Sequence, residues 1–181
     1  MLYDISYYER FLYNFLIMRK LVFSFNSQAE EKIFYLDVSF LLSKSEAGIY
    51  INNELQKINK KNIEEFKNAE KSIKSEEEKL LKQKNILKEE EFSNKLNNLK
   101  NKYKSYQEMK KNKNNDLKKL RDNAGNQILK ILNEILAEYS AKNKVSLIIE
   151  KKNVIIGKTD LDITSNILKL LNEKIKKVEL K

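Results

Sequence analysis

The sequence predicts an α+β protein that is mostly α: a long α-helical hairpin, a coiled-coil arm, on a small β-containing body. Three observations carry that prediction. Residues 49–141 contain no proline and a single glycine, Gly125. The same stretch holds an apolar seam with a period of about 3.5 residues, which keeps one stripe of each of two helices facing the other. Short β-branched and aromatic runs lie on either side of it, at 33–38 and 145–156.

Residues 1–29 stand apart. Phe11 to Met18 is apolar, Arg19 and Lys20 are basic, and Leu21-Val22-Phe23-Ser24-Phe25 is apolar again. Ser27 and Ala29 have the small-x-small spacing of a secretory cleavage site. We read the segment as a degraded or misassigned export signal with cleavage expected after Ala29. Asp4, Glu9 and the central basic pair weaken it; a plain N-terminal helix is the alternative. Neither apolar run reaches the ~20 residues needed to span a bilayer.

Residues 30–48 and 142–181 should form the body. Ile33-Phe34-Tyr35-Leu36-Asp37-Val38 reads as a buried strand. Phe40-Leu41-Leu42 gives a short helical turn, and Ser45-Glu46-Ala47-Gly48 a brief break. On the far side, Val145 to Glu150 and Asn153 to Gly157 flank Lys151-Lys152 and suggest a β-hairpin, although Lys-Lys is not favoured turn chemistry. A last amphipathic helix follows, capped by Asp160 or Asp162, with Ile163, Ile167, Leu168, Leu170, Leu171 and Ile175 on its apolar side.

Residues 49–141 form the arm. Phe66, Ile73, Leu80 and Leu87 recur every seventh residue on the outgoing limb. Phe92, Leu96, Leu99, Tyr103 and Tyr106 alternate steps of four and three on the returning limb, and Leu117, Leu120 and Ala124 resume that rhythm. The two registers do not join: seven beyond Leu87 is Asn94. The chain therefore reverses near Lys88-Glu89-Glu90-Glu91, where acids suit the first turn of a returning helix. Each limb should run about 40–50 residues, roughly 60–75 Å. Apolar density at Ile128, Leu129, Ile131, Leu132, Ile135, Leu136 and Tyr139 exceeds a two-helix seam, so this part should also pack into the body.

Composition narrows the chemistry. The 181 residues carry a net charge of +10, 34% charged side chains and a mean hydropathy of −0.64. That is too polar for one compact core and suits an arm. There is no Cys and no His, and the three glycines are isolated. A thiol nucleophile, the usual neutral-pH base and a Gly-rich phosphate loop are thus missing, and we expect no catalytic residue, no cofactor and no metal. Three strands and a short helix make a thin body with open sheet edges, which argues for an obligate oligomer.

The order strand, short helix, long helical hairpin, β-hairpin, final helix resembles the Skp or OmpH-like periplasmic chaperones. Carrying residues are Ile33 to Val38 with Ser45-Glu46-Ala47-Gly48, Val145 to Glu150 with Asn153 to Ile156, and Asp160-Leu161-Asp162-Ile163-Thr164 at the last helix. Leu87 to Phe92 looks like the family's arm tip, with Lys88 where a serine often stands. The resemblance implies a jellyfish-like homotrimer whose body is completed by strands from each chain. It would hold unfolded outer-membrane β-barrel proteins between its arms, in the periplasm and without ATP. Contact with anionic lipid or lipopolysaccharide is also implied, though no residue can be assigned to it. The oligomer body would use Ile33, Tyr35, Leu36, Val38, Val145, Leu147, Ile149, Val154 and Ile156.

Charge marks the candidate client-binding surface. From Phe92 to Arg121 there are 10 Lys/Arg against 2 Asp/Glu, whereas Leu55 to Glu91 has 10 against 9. The cations are Lys95, Lys100, Lys102, Lys104, Lys110, Lys111, Lys113, Lys118, Lys119 and Arg121. Tyr103, Tyr106 and Met109 either touch client side chains or pack the seam. Lys110 and Lys113 fall on seam positions; they must snorkel or loosen the pairing, unless outgoing-limb acids pair them. Competing functions are non-specific nucleic-acid binding through the Lys-rich helix and a structural coiled-coil spacer. Scarce arginine and the lack of a base-reading motif speak against specific nucleic-acid recognition.

Overall fold

A computed structural model of the protein describes residues 31–180. The candidate export signal at 1–29 lies outside the described residues. The elements are β1 (Lys32–Leu36), α1 (Val38–Lys44), α2 (Glu46–Lys82), α3 (Glu89–Asn143), β2 (Val145–Glu150), 3-10 turns at Lys151–Asn153 and Thr159–Leu161, and α4 (Thr164–Lys174).

Asp37 sets the first boundary. Its Oδ1 accepts the Phe40 N–H at 2.8 Å and caps α1. An N-cap carboxylate satisfies a helix-start donor, so β1 stops at Leu36. Val38, expected on the strand, instead opens α1. Ser45 alone separates α1 from α2, with its Oγ accepting the Gly48 N–H at 3.1 Å. The break expected over Ser45 to Gly48 is thus a one-residue corner, and α2 begins at Glu46 rather than Ile49.

α2 and α3 are the two limbs of the hairpin, with 37 and 55 residues, or about 55 Å and about 80 Å at 1.5 Å per residue. The reversal occupies residues 83–88, where the Leu87 N–H bonds the Gln83 carbonyl at 3.0 Å. Leu87 therefore sits in the turn and not on the outgoing helix. Glu89, Glu90 and Glu91 fill the first turn of α3, the sign the helix dipole favours there.

α3 outlasts α2 and runs into the core. Ala47, Ile51 and Leu55 of α2 meet Ala124, Ile128, Leu132 and Ile135 of α3, closed by Leu41, Ile167 and Leu171 from the short helices. This accounts for the excess apolar density beyond residue 127. Gly125 is different: a Cβ built there has nothing within 4 Å. Gly125→Ala is expected to stabilise the chain by about 0.5–1 kcal/mol, because only helix propensity changes; urea denaturation midpoints check it.

Among the described residues the sheet has two strands, β1 and β2. The expected third strand at Val154 to Ile156 is not formed. Lys151–Asn153 makes a 3-10 turn instead of a hairpin turn, and a place beside β1 is already taken. Tyr35 bridges Asp162 in parallel, and the Ile163 N–H donates to the Tyr35 carbonyl at 3.0 Å. The 154–158 segment folds over the Tyr35 ring, whose hydroxyl donates to the Lys158 carbonyl at 3.1 Å. Gly157 allows that approach, since a Cβ would stand 2.7 Å from Tyr35 Cε1. Ile155 and Ile156 are left 97% and 92% exposed.

Asp162 does not N-cap α4; Ile163 holds that place without a side-chain bond. Asp162 instead accepts the Thr164 N–H at 3.0 Å and its hydroxyl, and pairs with Lys151 Nζ at 2.7 Å. Burial pushes its carboxyl up, but hydrogen bonds from Lys151 and Thr164 outweigh burial and hold it below its ordinary value. A depressed folded value means this stabilisation is complete above the unfolded carboxylate range, near about 4. It is lost as pH falls through the folded value. Acid titration should therefore loosen the 151–162 loop, read by its amide NMR shifts, and Asp162→Asn should remove that step.

Candidate functional site

The arm's geometry sorts its cations. The limbs register at Phe66 and Tyr106, whose rings meet edge-on with centroids 6.5 Å apart. Seven residues further out that register sets Ile73 level with Leu99, and Leu80 with Phe92, as a heptad seam requires. Toward the body the next layer is polar. Lys113 takes the seam position and pairs with Glu65, with Asn62 Oδ1 at 3.4 Å. Asn62 is only 7% exposed. Lys110 turns its Nζ over the Tyr106 ring, 5.9 Å from the centroid.

Both lysines that broke the seam pattern are thus accommodated, one by an acid of the other limb and one by a ring. The Lys113 hydrogen bond holds the Glu65 carboxyl below its ordinary value. Lys102 meets Glu76 at 2.7 Å across the limbs, and Lys95 meets Glu91 at 3.1 Å along its own helix. The sequence reading did not single out Asn62, Glu65 or Glu76. Asn62 carried a signal: it stands in the apolar rhythm of Leu55, Ile58 and Phe66.

Six of the ten cations have neither an ion pair nor a ring contact among the described residues: Lys100, Lys104, Lys111, Lys118, Lys119 and Arg121, all exposed. Lys104, Lys111 and Lys118 are seven apart, and Lys100 and Arg121 flank them at helical spacing. Those five share one face of α3 for about 30 Å at 1.5 Å per residue. Lys119 lies off that face.

The aromatic positions divide. Tyr106 is 7% exposed and packs the seam, Met109 is half-buried, and Tyr103 is 54% exposed. A groove of about 870 Å³ runs between the limbs, floored by Ile73, Leu80, Leu99, Tyr106 and Met109 and walled in part by Lys102. At the body, Tyr35 and Leu36 are buried; Val38, Val145, Ile149 and Val154 are half-buried; Ile33, Leu147 and Ile156 are exposed. Among the described residues no cluster of acids could hold a metal ion, and no helix is long and apolar enough to cross a membrane. None of the six unpaired cations lines the groove, whose α3 lysines are Lys95 and Lys102. Stripe and groove lie on different flanks of α3, and each can make weak, exchangeable contacts with an anionic or mixed polypeptide.

A family model described as outer membrane protein (OmpH-like) matches residues 32–171. The fold is similar to a crystal structure of a candidate outer membrane chaperone (OmpH-like) from Caulobacter crescentus CB15. The TM-score is 0.75 at 15% identity, over 82% of this chain and 88% of that one. At that identity the likeness speaks for the fold. No curated protein matches the chain by sequence. The family match takes in β1, both limbs, β2 and most of α4, so the chain belongs to the OmpH-like family, whose members are chaperones and not enzymes.

Proposed function

We propose that this chain is an ATP-independent holdase of the periplasm, working as a homotrimer that keeps unfolded outer-membrane β-barrel proteins from aggregating. The observation that carries the reading is the stripe of unpaired cations on α3, with an apolar groove on the arm's other flank. Cations steer acidic segments over a Debye length of about 8 Å at physiological salt, and the groove supplies weak apolar contact. Binding the unfolded chain in preference to letting it aggregate requires no chemical step. The trimer reading rests on the exposed Ile33, Leu147, Ile155 and Ile156 around a two-stranded sheet. Contact with anionic lipid or lipopolysaccharide would draw on the same cations.

The test is aggregation of a β-barrel protein diluted from urea, followed by light scattering. The chain should suppress scattering, and less so at high salt. Changing Lys104, Lys111 and Lys118 to glutamine should weaken suppression roughly tenfold, since each cation contributes about 0.5–1 kcal/mol of attraction. Unchanged scattering at any salt would sink the holdase, and a monomer by sedimentation would sink the trimer. The same stripe supports a second reading, non-specific nucleic-acid binding, which a gel shift surviving physiological salt would favour.

A further inference from the structure

We propose that the arm beyond the Asn62–Lys113 layer opens as one unit while the rest of the chain stays folded. We further propose that the separated limbs offer their inner seam to apolar segments of an unfolded chain. The second half rests on the holdase reading; the first does not.

Burial thins from the body outward and is already partial at Ile58, Leu117 and Leu120, just inside that layer. On the body side Ala47, Ile51, Leu55, Ala124 and Ile128 are all buried. On the far side only Leu80 and Tyr106 are, while Phe66, Ile73, Leu96 and Leu99 are half-buried. A two-helix hairpin with no third element covers each seam residue on one side only. Least protected segments open first, as contiguous units.

The layer itself marks where such a unit ends. Between Tyr106 and Leu117 both seam positions of α3 are lysines, Lys110 and Lys113. Neither contributes an apolar seam contact; Lys113 is held by Glu65 and Asn62, and Lys110 lies over a ring. Polar seam residues confer specificity at a cost in stability. The tip adds little resistance. Residues 83–88 contain no glycine or proline, the Lys88 side chain makes no capping bond, and Ile86 is 80% exposed. Once the limbs part, Phe66, Ile73, Leu80, Leu99 and Tyr106 become an apolar surface flanked by the free lysines.

Hydrogen exchange of the client-free protein tests the opening. Amides from 66 to 110 should exchange together, roughly 100-fold faster than those of 128–135. The double variant N62L/K113L should slow the distal group roughly tenfold and leave the core group unchanged. Equal protection of the two groups overturns the proposal, as does a distal group that the leucine pair does not slow. If the leucine variant does not fold, the wild-type profile decides alone.

The seam's use is tested separately. The chain has no native cysteine, so Ile73→Cys with Leu99→Cys gives a single reducible lock. Oxidised, it should lose suppression of scattering, and regain it on reduction. Full suppression by the locked arm overturns the seam as a client surface. Failure of the wild-type chain to suppress scattering removes the holdase reading and leaves the opening to be judged by exchange alone.

Discussion

Gly48→Ala is expected to cost upward of about 3 kcal/mol, enough to unfold a domain of ordinary stability. A Cβ at Gly48 would stand 1.9 Å from the Leu42 carbonyl oxygen and 2.9 Å from its carbon. Both are backbone atoms, so no side chain can rotate away. They cannot move far, because Ser45 at the corner is fully buried and its Oγ is engaged by the Gly48 N–H. Helix propensity alone points the other way, favouring alanine by about 1 kcal/mol. Urea denaturation followed by circular dichroism therefore separates the two effects by sign. A Gly48→Ala chain as stable as the parent would show that α1 and α2 do not approach so closely.

Ile167→Ala should destabilise the chain by about 2–5 kcal/mol, the range for an isoleucine removed from a packed core. Ile167 is 0% exposed and sits with Leu36, Leu41 and Leu132 in one cluster. It anchors α4, whose start also fixes Thr164, the acceptor of the Asp37 N–H at 2.9 Å. Losing that helix would free the Asp162 bridge to Tyr35 as well, so β1 should loosen with it. Thermal unfolding gives the size of the effect. Hydrogen exchange shows its reach: β1 and α4 amides should speed up together, while those of the distal arm should not respond.

How much of this was legible depends on the range of the forces involved. The hairpin was legible because a heptad is a local pattern, visible in Phe66, Ile73 and Leu80 before any partner is known. The reversal near Glu89 was legible because the two seam registers do not join beyond Leu87, and the three acids there suit a helix start. Val38 and Val154 were misread for a different reason. Their β-branched neighbourhood favours a strand, but strand formation needs an edge to pair with. Asp37 caps a helix one residue early, and residues 162–163 take the place beside Tyr35 that a third strand would need.

The candidate site was half legible. Its excess charge on α3 could be counted, but neutralisation is a matter of distance. Glu65 lies 48 residues from Lys113 and Glu76 lies 26 from Lys102. Only the antiparallel packing of the limbs brings each acid to its lysine, leaving Lys100, Lys104, Lys111, Lys118, Lys119 and Arg121 unpaired.

By itself the sequence determined a helical hairpin on a small mixed body, a strongly cationic returning limb, and the absence of thiol and imidazole chemistry. The tertiary structure decided which lysines stay unneutralised, which strand loses its partner, and why residue 48 must be glycine. Helical period and composition act over a few residues, whereas ion pairs, sheet edges and backbone collisions exist only once distant segments meet.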